Sequence, residues 1–467
     1  MNKLKEKAFW IALGDIAGRG LSFVTSVYLA RTLGAEFYGL IVMALSILGY
    51  ATWLSDLGLH NIGTRETAKE PSKRIFRVLE IFRMKLFLGI AVLIVSTFLI
   101  SMIDSGEIEK QVILGYLYSL IPYMALMEWF YTGKQEFRKI AASKIFNGLV
   151  YFLLVLLMIK NVEDVTMVPV LYTVGISVSV LTLATFAIKD KPFTLPSRGT
   201  QIYPDLLKTS SVLGLGQFFA QVVHLLPPLL IGALLSLHDA GIYGVAFRIV
   251  IIAIMIDRVF VTLLIPNLSS LWSKNRSVAI EKINIVYQLI STAGALLGLF
   301  MAIGAEQIIG LLYGNEYTES VIILQVLSVM IAITFINSFF SFGLIATNKD
   351  KEYFLATCFG GTISALVIFS FVALGNTVLV AVSVSIAEVI ITMFTYFWFR
   401  KIIPSNFIKP LVINYIVALL LFGIFSFSPL TPLINASLAS IIFVIIITKF
   451  GVVNQSHINY VKSKLIR

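Results

Sequence analysis

The sequence is poor in the side chains that metal and redox chemistry require. Its 467 residues include one cysteine and four histidines. Cys358 has no second cysteine with which to form a disulfide or a redox pair, and the histidines at 60, 224, 238 and 457 fit no zinc-ligand spacing. Neither a G-x-x-x-x-G-K-S/T phosphate loop nor a dinucleotide-binding glycine pattern is present. We therefore expect no metal site, no cofactor and no enzymatic activity.

Charge is scarce as well, because 13% of the residues are charged and 58% are hydrophobic. This composition excludes a soluble domain of this length. Stretches such as Leu86–Ile103 are apolar on every face, which favours membrane-spanning helices over the alternating strands of a membrane barrel. The sequence predicts an all-α polytopic membrane protein with about fourteen transmembrane helices. These are placed near 8–30, 38–59, 84–103, 112–131, 143–160, 165–188, 210–236, 241–265, 283–303, 320–346, 353–374, 377–399, 410–428 and 432–450.

Lysine and arginine concentrate in every second connection between the predicted helices, starting with the N-terminal segment. The opposite connections hold only Arg31, Lys110 and Lys160. Because cytoplasmic loops carry the excess of basic residues, we expect a multi-pass protein of the cytoplasmic membrane with both termini in the cytoplasm. The net charge of +11 follows from this topology. We therefore expect no nucleic-acid partner.

Polar side chains within predicted spans mark candidate functional positions, since a charge inside a bilayer is costly. In the first span, Asp15, Arg19, Ser22 and Ser26 recur at helical spacing and form one stripe. Such a stripe faces protein or a wet cavity. The alternative is that Asp15 and Arg19 neutralise each other and serve packing alone.

The seventh predicted span carries a milder stripe of Gln217, Gln221 and His224. It lies just before Pro227 and Pro228, which must break or kink the helix. Broken spans often mark transport sites. The alternative is that His224 makes an interhelical hydrogen bond without binding a ligand.

Further polar residues lie in other spans. The eighth contains Arg248, Asp257 and Arg258, which could form positive sites at different depths. The twelfth contains Glu388, a candidate proton or cation site for which an interhelical hydrogen bond is equally plausible. Glu128 lies near the cytoplasmic end of the fourth span, where a side chain reaching to the membrane surface is the favoured interpretation.

Two short segments indicate internal repetition. The segment 35–39 (Ala-Glu-Phe-Tyr-Gly) is similar to the segment 240–244 (Ala-Gly-Ile-Tyr-Gly). Six spans return the chain to its starting side, which implies two parallel six-helix halves around a central cavity. The predicted divisions are 1–200, 201–403 and, for an extra helix pair with a basic cytoplasmic tail, 404–467.

The run Leu-Ala-Arg-Thr-Leu-Gly-Ala-Glu-Phe-Tyr-Gly at 29–39, with Ser-Asp-Leu-Gly-Leu at 55–59 and Gly-Thr-Arg-Glu at 63–66, resembles the N-terminal signature of Wzx-type polysaccharide repeat-unit flippases. These belong to the multidrug/oligosaccharidyl-lipid/polysaccharide exporter superfamily. Ile-Pro-Asn-Leu-Ser at 265–269 and Leu-Leu-Tyr-Gly-Asn-Glu-Tyr at 311–317 are similar to patterns of the family's second half. The last two predicted helices exceed the family's twelve-helix core, as they do in the lipid II flippases of the superfamily.

The resemblance implies a flippase that moves a polyprenyl-diphosphate-linked oligosaccharide between leaflets by ion-coupled alternating access. Arginine can hold phosphate oxygens in a protein cavity while the prenyl tail stays in lipid. The substrate-binding residues that we expect are Arg19, His224, Arg248, Arg258, Gln217 and Gln221. The coupling ion, H⁺ or Na⁺, is expected at Asp15, Asp257 or Glu388.

The expected partners are the lipid-linked oligosaccharide and membrane lipids, with a polysaccharide polymerase and glycosyltransferases as further candidates. Two alternatives stay open. A drug or cation antiporter of the same superfamily would need a cavity dominated by carboxylates, against which the three intramembrane arginines argue. A scaffold of a polysaccharide-synthesis complex that transports nothing would pair its intramembrane charges for packing.

Overall fold

Helices make up the regular structure of the chain. The computed structural model describes residues 3–68, 71–190, 204–274, 276–347, 349–403 and 407–454. These ranges contain α-helices and short 3-10 turns and no β-strand. The predicted all-α class is therefore confirmed.

By its internal contacts the chain divides into two units, Met1–Gly241 and Ile242–Arg467. The divisions predicted from the sequence, at residues 200 and 403, remain predictions. The helices of the first unit are α1 (Lys3–Asp56), α2 (Leu59–Thr67), α3 (Pro71–Met102), α4 (Glu107–Tyr118), α5 (Leu120–Met124), α6 (Glu128–Gly133), α7 (Phe137–Met158), α8 (Val168–Asp190), α9 (Pro204–Ala220) and α10 (Val222–Leu234). A 3-10 turn at Val162–Met167 precedes α8.

The second unit contains most of α11 (Leu237–Lys274), which begins at the end of the first. Its other helices are α12 (Arg276–Tyr313), α13 (Ser320–Ala346), α14 (Asp350–Val372), α15 (Thr377–Ile402), α16 (Ile408–Ser426) and α17 (Pro432–Lys449). Within this unit, α12 packs on α13, α16 and α17, and α15 packs on α13 and α14.

The described residues contain eleven helices that are long and apolar enough to cross a membrane, or twelve if the bent pair α9 and α10 is one span. The predicted count of fourteen is not confirmed. One reason is that α1 covers two predicted spans, with only Gly34 (φ 74°) outside helical geometry. The other is the predicted span 112–131, which is divided among α4, α5 and α6. Pro122 has no N–H to donate to Tyr118, and the helix breaks at Ser119.

The break in the seventh predicted span lies earlier than expected. α9 and α10 meet at an angle of 57° on either side of Gln221, whereas Pro227 and Pro228 lie inside α10. A proline ring crowds the carbonyl four residues before it, here those of Val223 and His224. Both carbonyls lie inside α10, so the helix accommodates the prolines, and the bend lies before them at Gln221.

The repeated segments contact each other within the first unit. A Cβ atom on Gly39 would lie 1.8 Å from the carbonyl oxygen of Leu237, and one on Gly241 would lie 1.9 Å from that of Ala35. Only glycine permits the two backbones to approach this closely. The glycines of the motif at 35–39 and of its counterpart at 240–244 therefore fix a crossing of α1 with the start of α11.

Each unit has its own apolar core. In the first, residues of α2, α3, α6, α7 and α8 surround Trp129. In the second, α16 and α17 pack on α12 around Phe443. Buried Asn414 of α16 donates to the hydroxyls of Ser291 (3.2 Å) and Thr292 (3.1 Å) on α12. The C-terminal pair is thus an integral part of the second unit.

Candidate functional site

Charged side chains from separate helices meet inside the first unit. Lys144 of α7 lies between two carboxylates: its Nζ is 2.8 Å from Oδ1 of Asp15 on α1 and 3.9 Å from Oε2 of Glu128 on α6. All three side chains are more than half buried. Lys144 is therefore shared between the two carboxylates, with Asp15 the closer partner.

Small residues let α1 and α7 come close enough for this pair. A Cβ atom on Gly14 would lie 2.8 Å from Cα of Ala141, and one on Gly18 would lie 3.3 Å from Cβ of Lys144. Close backbone approach through small residues is typical of helix packing in membranes. Gly14 and Gly18, which lie beside the stripe, thus explain why Lys144 reaches Asp15.

Residues of the stripe on α1 interact with other protein groups. Arg19, one turn after Asp15, is close enough to Lys144 to act on it electrostatically. Further along, the hydroxyls of Ser26 and Tyr38 are hydrogen-bonded at 2.6 Å. The alternative in which Asp15 only neutralises Arg19 is incomplete, because Asp15 binds Lys144 of another helix.

A second ion pair in the same unit is more completely buried. Nζ of Lys85 on α3 is 3.1 Å from Oδ1 of Asp56, the last residue of α1, and their side chains are only 5% and 10% exposed. The other carboxylate oxygen of Asp56 accepts the backbone N–H of His60 at 3.1 Å. The ammonium of Lys85 also lies 5.6 Å from the ring centre of Tyr123. This pair joins the end of α1 and the start of α2 to the middle of α3.

His60 links the two ion pairs, since it lies within electrostatic reach of Asp56, Lys85, Glu128 and Lys144. We call the whole set the N-terminal charge network, and its members are Asp15, Asp56, His60, Lys85, Glu128 and Lys144. With Arg19 beside it, three carboxylates face three cations while His60 is neutral. Burial lowers the pKa of His60 below its usual range, against the opposing effect of Asp56. His60 is therefore neutral at neutral pH.

The titration of His60 predicts how stability depends on pH. His60 lies outside the candidate membrane spans. Because its pKa is lower in the folded protein than in the unfolded chain, the unfolded chain binds more protons between the two values, and stability falls as the pH drops below about 6.5. His60→Gln is expected to shrink the difference between thermal midpoints measured near pH ~7.5 and pH ~5.5. The exposed residue His238 supplies the control variant His238→Gln, for which the difference should stay as in the original protein.

The candidate ion site of the second unit is built on α13. Asn337 donates its amide to Oε1 of buried Glu388 on α15 at 3.1 Å. The hydroxyls of Ser341 and Thr395 both donate to the Asn337 carbonyl, each at 3.2 Å, and so fix the direction of the amide. The next residue, Ser338, donates to Asp257 of α11. Two of the predicted ion-coupling carboxylates therefore bind neighbouring side chains of one helix.

Glu388 has a polar environment without a cation. Among the residues that the structure describes, no lysine, arginine or histidine nitrogen lies within 4.0 Å of its carboxylate. A carboxylate buried among hydroxyls and an amide is able to bind a proton or a small cation. No group of three or more His, Cys, Asp or Glu in these same parts of the chain could hold a metal ion.

The remaining predicted site residues occupy both units. Gln217 lies on α9, Gln221 at the bend and His224 on α10, so the bend divides the predicted stripe instead of leaving it on one helix face. Arg248 is partly buried on α11. Arg258 lies further along α11, outside the residues whose side chains the structure describes.

The sequence-based search missed Lys85, Lys144 and the ion pairs that they form. Both lysines were counted among the basic residues of cytoplasmic connections. Yet both fall just inside predicted apolar spans, at 84–103 and 143–160, and that position was the available signal. Glu128 was expected to reach the membrane surface, but it turns inward to Lys144 because that lysine offers a partner within the unit.

Comparison with known proteins identifies related sequences. The family described as "Polysaccharide biosynthesis protein" matches residues 4–272, more than half of the chain. A protein of Escherichia coli (strain K12) with the name "Putative O-antigen transporter" is 20% identical over 412 residues, which are 86% of this chain and 98% of that protein.

Solved structures share the fold. The structure described as "Lipid II flippase MurJ, inward closed conformation" matches with a TM-score of 0.76 at 13% identity and covers 94% of this chain and 99% of its own. An inward-facing multidrug resistance MATE family transporter of the MOP superfamily matches with a TM-score of 0.68 at 14% identity, over 86% and 99% of the two chains. At such identities the likeness shows the fold. It confirms the predicted all-α membrane fold class.

Proposed function

Because the chain belongs to the polysaccharide biosynthesis protein family, we propose that it is a flippase that moves polyprenyl-diphosphate-linked oligosaccharide units across the cytoplasmic membrane for surface polysaccharide synthesis. The observation that carries this proposal is the N-terminal charge network with Arg19 beside it, since Lys144 and Arg19 hold positive charge inside an apolar helical unit. Charge inside a membrane is energetically costly, and a buried cation therefore marks a functional position by default.

The cargo explains the need for these cations. A diphosphate cannot enter hydrocarbon without charge compensation, and ammonium and guanidinium groups supply it through short charged hydrogen bonds. In the first unit, Arg19 and Lys144 bind the diphosphate, His224 adds a donor, and Gln217 and Gln221 bind sugar hydroxyls. Arg248 and Arg258 are the corresponding substrate-binding residues of the second unit.

The two carboxylates beside Lys144 hold its ammonium within the first unit. Asp15 binds the ammonium at 2.8 Å and Glu128 lies 3.9 Å away. An arriving diphosphate competes with Asp15 for the same ammonium, and the displaced carboxylate is then free to take a proton. Cargo binding and proton binding are thereby coupled through one lysine.

A second coupling site is proposed at Glu388. Asp257 is a further candidate, because it accepts a hydrogen bond from Ser338, the residue next to the Asn337 that donates to Glu388. Uptake of H⁺ or Na⁺ by Glu388 would change the charge that α13 and α15 bury between them. A change in buried charge biases the equilibrium between two transport states only to the extent that the ion binds one state better.

Glu388→Gln is expected to weaken the dependence of transport on the coupling gradient, since Asp15 can still take a proton, and to leave the protein folded. Glutamine still accepts the amide of Asn337 through its carbonyl oxygen but cannot gain or lose the proton. The measurement is uptake of labelled lipid-linked sugar by proteoliposomes with and without an imposed gradient of H⁺ or Na⁺. The exposed Glu306 on α12 provides the matched variant Glu306→Gln, which should respond to the gradient as the original protein does. A gradient response in Glu388→Gln as large as that of the original protein would exclude this carboxylate as a coupling site.

Deletion of the gene tests the cargo. Extraction of lipid-linked sugars from the deletion strain is expected to yield complete oligosaccharide units that accumulate on the inner leaflet. Accumulation of incomplete units would instead indicate a role in sugar assembly. Unchanged lipid-linked sugars together with increased drug sensitivity would favour the drug antiporter. We also propose that both termini are cytoplasmic and that a polymerase and glycosyltransferases act on the same cargo.

A further inference from the structure

The hydrogen bonds around Glu388 distinguish between the two coupling ions. Asn337 donates its amide N–H to Oε1 of Glu388 at 3.1 Å, so one carboxylate oxygen faces a donor. The amide oxygen points the other way, because it accepts the hydroxyls of Ser341 and Thr395, each at 3.2 Å. The partial positive charge of the amide N–H disfavours a metal cation at Oε1. Oε2 is therefore the oxygen at which an ion would bind.

Thr334 is a partner that suits a proton. It precedes Asn337 by three residues on α13, and its hydroxyl interacts with the carboxyl group of Glu388. The hydroxyl oxygen is shielded from solvent and has no other hydrogen-bond partner among the described residues. A hydroxyl can donate to a charged carboxylate and accept from a neutral carboxyl group. Thr334 can therefore pair with Glu388 before and after a proton is bound.

A sodium ion would need more oxygens than these neighbours offer. Inside membrane transporters, sodium is coordinated by side-chain oxygens and by the carbonyls of unwound helices. α13 and α15 are continuous here, so their backbone carbonyls are engaged within the helices. The hydroxyl of Thr392 donates to the backbone carbonyl of Glu388. Of the polar groups that bind Glu388 in the described part of the chain, Thr334 alone offers a free oxygen, which suits a proton and not a metal ion.

The titratable neighbours of Glu388 supply no positive charge. α13 contains no titratable side chain, and those of α14 lie at 350–358, before Ser364, which donates to α15 beside Glu388. Tyr415 of α16 lies within electrostatic reach, and tyrosine is neutral near pH ~7. Asp257 of α11, bound to α13 nearby, is itself an acid. Because Glu388 is only 3% exposed, its charge is costly without a cation, and a proton removes that charge.

We propose that Glu388 couples transport to protons and not to sodium ions, with the proton on Oε2 and Thr334 as its hydrogen-bond partner. This proposal rests on the proposed function, in which Glu388 is a coupling site, and it names the ion. Asn337 stays on Oε1 in both states. Gain and loss of the proton therefore switch the charge buried between α13 and α15 without breaking the hydrogen bond that joins the two helices.

Infrared spectroscopy of the purified full chain in detergent tests the proton site without any cargo. A protonated carboxyl group has a C=O stretching band that a carboxylate lacks, and near pH ~7 exposed carboxyl groups are ionised. The original protein in sodium-free buffer should show this band, and Glu388→Gln should lose it. The matched variant Glu306→Gln removes an exposed carboxyl group of α12 and should keep the band.

The position of the band tests the role of Thr334. A hydrogen bond from a carboxyl group lowers the frequency of its C=O stretch, so Thr334→Val, which removes the hydroxyl but keeps the shape, should move the Glu388 band to higher frequency. Thr362→Val removes an exposed hydroxyl of α14 that is bound to its own helix, and it should leave the band in place. An unmoved band in Thr334→Val would contradict the assigned partner. This variant decides the geometry even if Glu388→Gln fails to fold.

Replacement of potassium by sodium at constant pH tests the competing ion. It should change neither the Glu388 band nor the thermal midpoint of the original protein. Loss of the band on addition of sodium would overturn the proposal. So would a rise of the thermal midpoint with sodium that is absent from Glu388→Gln.

Flipping in proteoliposomes separates this proposal from the proposed function. A difference of about one pH unit across the membrane should change the flipping rate by up to about tenfold, since one unit is a factor of ten in proton concentration. A sodium gradient at equal pH should leave the rate unchanged. Flipping that a sodium gradient drives through Glu388 would overturn the choice of ion and keep the flippase. Absence of flipping with an intact Glu388 band would contradict the flippase and leave the proton site standing.

Discussion

Lys144→Gln is expected to lower surface-glycan export by about ten- to a hundredfold at normal protein levels, since hydrogen bonds to charged groups contribute about 1.5–3 kcal/mol and about 1.4 kcal/mol is a factor of ten. Glutamine keeps much of the length of the side chain but cannot offer the cargo a positive charge. The measurement is the amount of surface glycan produced by a deletion strain that carries each variant, normalised to the membrane content of the protein.

Three companion variants separate loss of function from loss of structure. Lys139→Gln removes the lysine that binds Glu136 at 2.6 Å on the same helix, outside the charge network, and should export normally. Lys144→Arg should recover much of the export, because it restores the charge. Asp15→Asn with Lys144→Gln balances the charge without restoring the cation, and it should stay inactive. Recovery of export by this double variant would show that Lys144 serves packing alone.

Lys85→Met is expected to produce the largest loss of stability, because it leaves Asp56 buried without its cation. Breaking a buried ion pair costs about 3–5 kcal/mol, and here the two side chains are 5% and 10% exposed. The thermal midpoint in detergent, followed by size-exclusion chromatography after heating, should fall well below that of the original protein. The exposed Arg83 on the same helix supplies the control variant Arg83→Met, which should change it little.

The charge-neutral double variant Asp56→Asn, Lys85→Met distinguishes an unpaired charge from lost packing. Because the remaining asparagine carries no charge, the double variant should recover most of the lost thermal stability. It also retains an oxygen that can accept the N–H of His60. A double variant as unstable as Lys85→Met would assign the effect to the packing of the lysine stem and not to the ion pair.

The helical segments of this chain could be predicted because apolar length alone determines them. Turns within spans were harder to place. Pro122 carried a signal for the break between α4 and α5, but the uniform apolar character of 112–131 outweighed it. The bend at Gln221 lies before the prolines, which α10 accommodates, so the prolines do not mark its position.

The site was predictable only where its residues share one helix. Asp15 and Arg19 are one turn apart, and their spacing marks a polar stripe. The partner of Asp15 is 129 positions away in the sequence, and a single sequence contains no record of such a pairing. Lys144 was therefore assigned to topology, although it lies within a predicted span. The direction of Asn337 toward Glu388 likewise depends on Thr395, which lies on another helix and 58 positions away in the sequence.

The most direct test of a cationic site for lipid-linked diphosphate is a flipping measurement with the purified protein. Proteoliposomes would contain a fluorescent polyprenyl-diphosphate oligosaccharide, and a membrane-impermeant reductant would bleach only the label in the outer leaflet. With the original protein, all of the label should become accessible. With Lys144→Gln, bleaching should stop near the outer-leaflet fraction that protein-free liposomes show. Bleaching by Lys144→Gln at the rate of the original protein, or an original protein no better than empty liposomes, would contradict the account.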